Sequence, residues 1–444
     1  MRALVTDLYQ LTMAAGYFQA GKTSERATFE LFVRSLPANR NFLVAAGLEQ
    51  AVEYLLELRF TGGEIDYLRG LRQFQRASPA FFEALREFRF TGDLSAAPEG
   101  TPIFAGEPLV TVRAPLMEAQ IPETYLLATV GFQTMIATKA ARIVEVARPA
   151  SVIEFGTRRA HSPEAGVLAG RAAYIGGCIG TSNVEAGKRF GVPVFGTAAH
   201  SWVMSFTSEM DAFRELQKLL GESSVYLVDS YDTLEGTRRA ASLGKPMWGV
   251  RLDSGNLVEL SRAVRAILDQ AGLGEAKVMA SGDMDEYKIL ELTASGVPID
   301  AFGVGTSLAT SSDCPSIGAV YKMAELERRG EKRYTAKFSE DKHTMPAAKQ
   351  VFRCADHDII AGEWESPPCP GAQALLQPVI AGGKQVSVLP GVRDIREHAA
   401  ASIGKLPRAS RSLYPAEEAW RVEYSRALTA LQQDVRQQMP EVKA

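Results

Sequence analysis

The segment Ser151-Val-Ile-Glu-Phe-Gly-Thr-Arg-Arg159 places a short apolar run directly before a glycine turn with two arginines. The same order, an apolar run, then polar residues, then a helix signal, recurs through the middle of the chain. The predicted strands are residues 151–155, 172–176, 192–195, 224–228, 247–251, 277–281, 299–304 and 319–323. Strands that alternate with helices pair in parallel, so this series suggests a closed or nearly closed β/α barrel.

Helix start and stop signals lie between these predicted strands. Ser162 followed by Pro163 is typical of an N-cap with proline at the first helical position. Ser182-Asn-Val-Glu185 matches a capping box, and we expect Ser182 to cap a helix that stops at Gly191. Ser208 begins a second box of this kind. These signals support the alternation of strands and helices.

The two flanking parts of the chain have sequence patterns that differ from the alternation in the middle. Residues 1–148 combine helical patterns, the first of them expected to be capped by Thr6, with a β-rich piece at 90–113. After about residue 325 the pattern is hairpin-like, and it ends with a predicted helix at 415–438. We therefore predict an α/β protein with an irregular TIM-like β/α barrel at 149–325. The N-terminal part, 1–148, and the C-terminal segment, 326–444, are expected to pack into a second, discontinuous α+β domain.

Composition excludes several classes of protein. The 444 residues are 46% hydrophobic and 23% charged, with a formal net charge of −3, as in an ordinary globular protein. This charge disfavours wholesale binding to nucleic acid or to an anionic membrane. No apolar run is long enough to span a bilayer, and the N-terminus lacks the apolar core of a signal peptide. We predict a soluble, cytoplasmic protein.

The cysteines agree with a reducing compartment. Cys178, Cys314, Cys354 and Cys369 are far apart and form no C-x-x-C pair. We expect neither a disulfide framework nor a structural zinc site. His357 lies near Cys354, but together with Cys369 these residues fall short of the four ligands of a zinc knuckle. No resident metal is predicted.

Polar residues collect where the predicted barrel strands end. His200 follows the run Val192-Pro-Val-Phe195, and the other groups are Glu154-Phe-Gly-Thr-Arg-Arg159, Asp229-Ser-Tyr-Asp232, Arg251-Leu-Asp-Ser-Gly255, Ser281-Gly-Asp283 and Gly303-Val-Gly-Thr-Ser307. Each group alone is also compatible with a turn or a helix cap. Together they predict a pocket with glycine-lined anion sites, cations and carboxylates at the carboxyl ends of the strands. A phosphate site after the last strands is common in such barrels, and Gly303-Val-Gly-Thr-Ser307 occupies that place.

In this order, the motifs resemble those of the nicotinate phosphoribosyltransferase family, the type II phosphoribosyltransferases. They are Thr6-Asp-Leu-Tyr-Gln-Leu-Thr-Met, Phe155-Gly-Thr-Arg-Arg, Gly180-Thr-Ser-Asn, Gly196-Thr-Ala-Ala-His-Ser, Asp229-Ser-Tyr-Asp, Arg251-Leu-Asp-Ser-Gly and Gly303-Val-Gly-Thr. The resemblance implies that nicotinate and phosphoribosyl pyrophosphate react, with Mg²⁺, to give nicotinate mononucleotide and pyrophosphate. It also implies that ATP is a co-substrate whose hydrolysis proceeds through a phosphohistidine, as the entry step of NAD salvage. No G-x-x-x-x-G-K-[ST] loop occurs in the sequence, so ATP would have to use another phosphate site.

The resemblance also implies roles for single residues. His200 would be the phosphorylated histidine, and Asp229 the carboxylate that fixes its tautomer. Asp253 would hold the ribose hydroxyls and Arg251 the pyrophosphate side. The residues expected around the 5′-phosphate are Gly282, Asp283, Gly305 and Thr306.

For the pyridine ring, the family match is a sandwich between Phe155 and Tyr9, with the tyrosine from the partner subunit of a homodimer. Arg158 matches the residue that binds the carboxylate. The predicted cap at Ser182 would offer helix N–H groups to an anion, where nicotinamide enzymes carry an aspartate. We therefore expect the acid rather than the amide as substrate, and active sites at the subunit interface.

Other hypotheses remain at this point. A nicotinamide, quinolinate or other pyridine phosphoribosyltransferase would share the fold and differ in the base. A Schiff-base aldolase would use a lysine on the last barrel strand, where Lys322 is placed. A non-catalytic ligand-binding barrel would not need so many polar groups. The sequence also departs from the family at Pro346-Ala347, where Pro-Gly is frequent.

Overall fold

The structure is a computed structural model that describes residues 3–339, 342–416 and 420–438. In chain order the helices are α1 (Leu8–Gln19), α2 (Leu48–Glu57), α3 (Gly62–Gly70), α4 (Pro79–Arg86), α5 (Leu116–Gln120), α6 (Glu123–Ala147), α7 (Pro163–Ile175), α8 (Val184–Phe190), α9 (His200–Met204), α10 (Glu209–Leu220), α11 (Thr233–Leu243), α12 (Leu257–Gln270), α13 (Glu286–Ala294), α14 (Thr306–Thr310), α15 (Val392–Gly404) and α16 (Arg426–Gln438).

The strands are β1 (Arg26–Val33), β2 (Leu43–Val44), β3 (Asp93–Ala96), β4 (Pro102–Ile103), β5 (Pro108–Pro115), β6 (Ser151–Glu154), β7 (Gly180–Thr181), β8 (Val225–Leu227), β9 (Gly249–Leu252), β10 (Lys277–Ala280), β11 (Ala301–Val304), β12 (Ala319–Arg328), β13 (Glu331–Tyr334), β14 (Phe338–Ser339), β15 (Lys342–His343), β16 (Lys349–Arg353), β17 (His357–Gly362), β18 (Gln373–Ala374), β19 (Gln377–Ala381), β20 (Lys384–Gln385) and β21 (Arg421–Tyr424). The helix predicted at 415–438 is thus partly strand, since β21 precedes α16, and residues 417–419 lie outside the described residues.

The chain divides into two compact units. The first contains Met1–Thr134, Ser316–Pro390 and Ala401–Ala444, and the second contains Met135–Pro315 and Gly391–Ala400. Each unit has its own main sheet.

A parallel sheet in the order β7-β6-β11-β10-β9-β8 forms the centre of the second unit. The predicted α/β class is confirmed, and the strands predicted at 151–155, 224–228, 247–251, 277–281 and 299–304 lie in this sheet within a few residues. The outer strands β7 and β8 are not neighbours in its order, so the pairing does not confirm a closed barrel. The sheet core contains Ile153, Met279 and Ala301, against which Phe155 packs.

Three of the predicted barrel strands are wrong. Residues 172–176 belong to the end of α7 and the turn after it, because the Ser162 cap and Pro163 start a helix that continues to Ile175. Residues 192–195 contribute only one isolated parallel bridge, between Val194 and Thr181. Residues 319–323 are part of β12, which pairs antiparallel with β1 in the first unit.

Most of the predicted helix ends are confirmed. Ser162 accepts a hydrogen bond from the Ala165 amide, Ser208 accepts one from Asp211, and α8 stops at Gly191 in a left-handed conformation. Two caps are wrong by one residue. Asn183 rather than Ser182 caps α8, and Asp7 rather than Thr6 occupies the N-cap position of α1.

The first unit is built on a sheet in the order β13-β12-β1-β5-β3-β19-β20, whose pairings are all antiparallel. A smaller sheet, β18-β16-β17-β21, mixes both directions. Charged residues are buried here as ion pairs: Glu30 lies 2.6 Å from Lys349, and Arg353 lies 2.6 Å from Asp358. Buried charges of this kind require partners because desolvation is costly.

The expectation of no disulfide is wrong for one cysteine pair. Cys354 and Cys369 are bonded, with their Cα atoms 6.2 Å apart. Cys354 directly follows β16 and Cys369 precedes β18, and the antiparallel pairing of these two strands brings the cysteines together. Cys178 and Cys314 are buried and do not take part in this disulfide. The disulfide does not support the prediction of a reducing compartment, and localisation stays a prediction.

Residues 118–147, a largely apolar part of the sequence, belong to two helices rather than one. α5 ends at Gln120 and α6 begins at Glu123, after which α6 continues to Ala147. In the second unit its side chains Ile136, Ala140 and Ile143 are completely buried. None of the helices within the described ranges combines the length and the apolar character that crossing a bilayer requires.

Candidate active site at the carboxyl edge of the parallel sheet

A cavity of about 900 Å³ lies in the second unit, lined by loops that follow the parallel strands. Its size is in the range of small-molecule sites. Ten of the twelve predicted site residues line it: Phe155, Arg158, Ser182, His200, Arg251, Asp253, Gly282, Asp283, Gly305 and Thr306. Since the strands are parallel, their carboxyl ends meet at one edge of the sheet, and this explains why residues so distant in sequence converge.

His200 is the first residue of α9 and is half exposed, with 41% of its side chain accessible. Its Nδ1 lies 3.1 Å from the Ser230 hydroxyl, and its Nε2 lies 4.0 Å from Asp253 Oδ2. The expected contact with Asp229 is replaced by these two neighbours. Asp229 Oδ2 instead accepts hydrogen bonds from the Asp253 amide at 2.8 Å and the Ser254 hydroxyl at 2.7 Å. Asp229 therefore orders the loop that carries Asp253.

Arg251 and Asp253 form the charged centre of the cavity. One guanidinium nitrogen of Arg251 lies 2.5 Å from Asp253 Oδ1, and the others donate to Ser281 and Thr197 at 2.7 and 2.8 Å. Desolvation alone would raise the pKa of Asp253, but the Ser281 hydrogen bond and the charge of Arg251 outweigh it, so the pKa is lowered. Asp253 is thus held as a carboxylate, which accepts hydrogen bonds only.

The turn after β10 brings main chain close to Asp253. Gly282 has φ +87°, and a Cβ atom there would lie 2.0 Å from the Asp253 carbonyl oxygen. Asp283, which follows, has φ +45°, an uncommon conformation for a residue other than glycine. Only glycine allows the two loops to approach this closely. The turn exposes main-chain groups to the cavity next to the carboxylate.

The turn after β6 carries Phe155 and Arg158. It is held by Glu154, which is completely buried and accepts hydrogen bonds from the Gly156 amide and the Thr181 hydroxyl. Burial raises the pKa of Glu154, while these two donors act in the opposite direction. The Arg251 guanidinium lies over the Phe155 ring at 5.8 Å. Arg158 is exposed on a short 3-10 turn, Thr157–Arg159.

Ser182 lines the cavity between β7 and α8. Its amide donates to the Glu154 carbonyl at 2.9 Å. Because Asn183 is the cap, the argument that Ser182 caps a helix for an anion is wrong, but its side chain still places a neutral hydroxyl where an aspartate would bring a negative charge.

Two candidates belong to the first unit. Tyr9 lies on α1, is about half exposed, and contacts Glu123 Oε1 through its hydroxyl at 3.2 Å. Desolvation, followed by the charge of Glu123, raises the pKa of Tyr9 to about 12. Lys322 lies on β12 opposite Glu30 of β1. It is therefore not on the parallel sheet, which removes the basis for the Schiff-base aldolase hypothesis.

Four polar residues complete the site without having been assigned a role from the sequence. Ser230 contacts His200, Thr197 and Ser281 contact Arg251, and Arg159 lines the cavity. Ser230, Ser281 and Arg159 lie in the polar groups that follow the predicted strands, and Thr197 lies in the Gly196-Thr-Ala-Ala-His-Ser motif. The clustering of polar residues after the strands indicated where the site lies. Serine and threonine are too common in turns for their individual roles to be predicted from it.

The cavity lies at the carboxyl edge of a parallel sheet and contains arginines and an aspartate that stays ionised. These features define an α/β enzyme site for an anionic substrate. Family comparisons identify the class. Residues 4–131 match the nicotinate phosphoribosyltransferase N-terminal domain, and residues 136–314 match the quinolinate phosphoribosyl transferase C-terminal domain.

The chain is similar to whole phosphoribosyltransferases. A nicotinate phosphoribosyltransferase of Mycobacterium tuberculosis is 42% identical over 93% of this chain and 89% of its own length. The Bacillus subtilis nicotinate phosphoribosyltransferase is 46% identical over 79% and 73% of the two chains. The crystal structure of human nicotinic acid phosphoribosyltransferase superposes with a TM-score of 0.82 at 28% identity, covering 97% of this chain and 100% of that one. The chain belongs to the nicotinate phosphoribosyltransferase family and is an enzyme with that activity.

Proposed function

We propose that this enzyme joins nicotinate to phosphoribosyl pyrophosphate, forms nicotinate mononucleotide and pyrophosphate, and couples the reaction to ATP hydrolysis through phosphorylated His200. In NAD salvage this would be the step at which the free base enters the pathway. The observation that carries the proposal is the position of His200 in the same cavity as Arg251 and Asp253, with Nε2 4.0 Å from Asp253. A histidine that served only packing would not lie half exposed on a charged cavity.

The nicotinate ring fits the edge formed by Phe155 and Arg158. An aromatic face attracts a flat ring, and an exposed guanidinium binds a carboxylate through two parallel hydrogen bonds. The pyridine nitrogen attacks C1 of the ribose, and the bond from C1 to the pyrophosphate oxygen breaks. No general base is needed, because this nitrogen carries a lone pair and no proton. Positioning is the main task of the protein.

The sugar and its phosphates are assigned to the other side of the cavity. Asp253 accepts hydrogen bonds from ribose hydroxyls, which its lowered pKa favours. Arg251 neutralises the departing pyrophosphate. Main-chain groups at Gly282 and Asp283, and at Gly305 and Thr306, surround the 5′-phosphate, since backbone N–H groups in such turns favour anions.

The phosphohistidine step uses the neutral imidazole. Ser230 contacts Nδ1, so Nε2 remains as the nitrogen that takes the γ-phosphoryl group from ATP, with release of ADP. Water later breaks the bond between phosphorus and Nε2, which releases inorganic phosphate and returns the histidine to its free form.

Mg²⁺ is expected to arrive with the phosphates. Within the described residues, no group of three or more His, Cys, Asp or Glu side chains could hold a metal. This fits an ion held mainly by substrate oxygens and water, as Mg²⁺ commonly is at phosphate sites. Asp253, Asp283 and Asp285 line the cavity, and their carboxylates could add a contact. The ion would neutralise pyrophosphate as it leaves.

A homodimer is part of the proposal. Tyr9 is half exposed on the first unit, and in the proposed assembly it would supply the second aromatic face to the partner's cavity. The acid is proposed as the preferred substrate because Arg158 and Arg159 line the cavity and Ser182 is neutral.

The decisive experiment incubates the enzyme with [γ-³²P]ATP and Mg²⁺ and measures acid-labile protein-bound label. His200→Asn should abolish the label and lower ATP-stimulated formation of nicotinate mononucleotide. His161→Asn is the matched control, since His161 is exposed in the same unit and does not line the cavity. Wild-type enzyme that forms product from nicotinate but never becomes labelled would contradict the histidine part of the proposal.

A further inference from the structure

A buried ion cluster lies in the second unit, close in sequence to the cavity lining. Lys139 of α6 is 1% exposed, and its Nζ lies 2.5 Å from Glu286 Oε2 and 2.7 Å from Asp313 Oδ1. Arg142, one turn further along α6, lies 3.2 Å from Glu286 Oε1. Two cations therefore balance two carboxylates.

The cluster is placed in an apolar part of α6. Ile136, Ala140 and Ile143 around Lys139 are completely buried, as is Glu286. Burying a lysine here costs free energy, and apolar residues of similar volume often stabilise a fold equally well or better. Stability alone is thus a weak explanation for the charges, and their fixed geometry is the property that an apolar core would not supply.

Both carboxylates belong to residues that are adjacent in sequence to residues lining the cavity. Glu286 follows Asp285, and Asp313 follows Ser312, and Asp285 and Ser312 both line the cavity. Asp285 caps α13 by accepting hydrogen bonds from the amides of Tyr287 and Lys288, at 3.0 and 2.8 Å. Movement of Glu286 would therefore be transmitted to the turn that contains Gly282 and Asp283.

The two loops follow neighbouring strands. The first comes after β10, and the second runs from Gly305 after β11 through the short helix α14 to Asp313. β10 pairs with β11 in parallel. In the proposed function these loops hold the 5′-phosphate of phosphoribosyl pyrophosphate from two sides. Lys139 is the side chain that contacts a carboxylate of each loop.

We infer that Lys139 is a positioning residue that fixes the spacing between the two phosphate-binding loops through Glu286 and Asp313, and so sets the affinity for phosphoribosyl pyrophosphate. This inference rests on the proposed function for the identity of the ligand. Lys139 does not line the cavity and touches no substrate. Its effect acts through the loops alone.

The test compares Lys139→Met with Lys349→Met. Lys349 forms an equally buried ion pair with Glu30 in the first unit and does not line this cavity. We expect Lys139→Met to raise the KM and the calorimetric Kd for phosphoribosyl pyrophosphate about tenfold, because small displacements of positioning groups are costly. KM for nicotinate should change by less than about twofold. Lys349→Met should lower the melting temperature without this selective change.

Asp313→Asn provides the milder variant if Lys139→Met does not fold, since Asp313 is 21% exposed and loses only its charge. It should raise the Kd for phosphoribosyl pyrophosphate severalfold. Equal changes for both substrates, or unchanged affinity in a folded variant, would overturn the inference while leaving the proposed function intact. Wild-type enzyme that neither binds nor consumes phosphoribosyl pyrophosphate would overturn the proposed function, and the inference with it.

Discussion

The parallel sheet of the second unit and the smaller sheet of the first unit each carry a close Arg–Asp pair, but the two pairs have different roles. In the second unit, Arg251 and Asp253 lie 2.5 Å apart at the edge of a parallel sheet and line a cavity. In the first unit, Arg353 and Asp358 lie 2.6 Å apart on neighbouring antiparallel strands, with Asp358 fully buried. Parallel strands bring all their carboxyl ends to one edge, whereas antiparallel strands alternate. Strand direction therefore decides which pair can serve a ligand.

The largest expected effect separates these two Arg–Asp pairs. Asp253→Asn should lower kcat/KM about 10²-fold, because Arg251 loses its partner and shifts from its position. Asp358→Asn should leave the kcat/KM of folded enzyme nearly unchanged but lower the free energy of unfolding by about 3 kcal/mol, since it weakens a buried pair. Steady-state kinetics and urea unfolding measure both quantities. The contrast between the units fails if Asp358→Asn lowers kcat/KM as strongly as Asp253→Asn does.

Two glycines with left-handed backbone sharpen the contrast further. Gly282 approaches Asp253 in the second unit, and Gly47, with φ +98°, would place a Cβ atom 2.9 Å from the Thr129 carbonyl oxygen in the first. Substitution by alanine should lower the free energy of unfolding by about 1–3 kcal/mol in each case, because both positions become strained. Only Gly282→Ala should also raise KM for phosphoribosyl pyrophosphate. A similar rise in Gly47→Ala would show that general destabilisation explains the effect.

A smaller effect is expected from charge at the cavity edge. Ser182→Asp should raise KM for nicotinate about tenfold, equivalent to about 1.4 kcal/mol, because a new carboxylate repels the substrate anion. Ser182→Ala is the matched control and should stay near the wild-type value. Initial rates over a range of nicotinate concentrations provide the measurement. Equal KM values for Ser182→Asp and wild type would rule out a role of this position in choosing the acid.

The smallest effect concerns pH and distinguishes the carboxylates of the two units. Burial, and then the charge of Asp358, raise the pKa of Glu107 well above its usual range. A raised pKa means that Glu107 contributes stability below its unfolded pKa of about 4.3 and that this contribution is lost as pH rises through the folded value. The opposite holds for Asp253, whose lowered pKa contributes stability above about pH 4 and loses it as pH falls.

Glu107→Gln should therefore flatten the decline of stability as pH rises above the unfolded pKa of about 4.3. Urea unfolding of wild type and variant at several pH values gives the comparison. A decline of the same slope in both proteins would mean that Glu107 does not titrate in that range.

Much of the site could be predicted because its residues follow strands that local pattern reveals. The runs at 151–155 and 277–281 are apolar, short and bounded by glycine turns, and such signals do not depend on distant partners. The His200 segment was assigned to the site because it follows the run 192–195, although that run forms only one isolated bridge. The contacts of His200 could not be predicted, because Ser230 and Asp253 come from loops 30 and 53 residues away, and sequence does not specify how far each loop reaches.

The sequence by itself determined the α/β class, most helix ends and the set of polar groups that line the cavity, since strand and helix periodicity and caps are local properties. Only the tertiary structure decided that β12 pairs with β1 rather than joining the parallel sheet, that Cys354 meets Cys369, and that Lys139 lies between Glu286 and Asp313. Each of these depends on segments that are distant along the chain, and their pairing is selected by the burial of whole faces and the neutralisation of buried charge rather than by any short pattern.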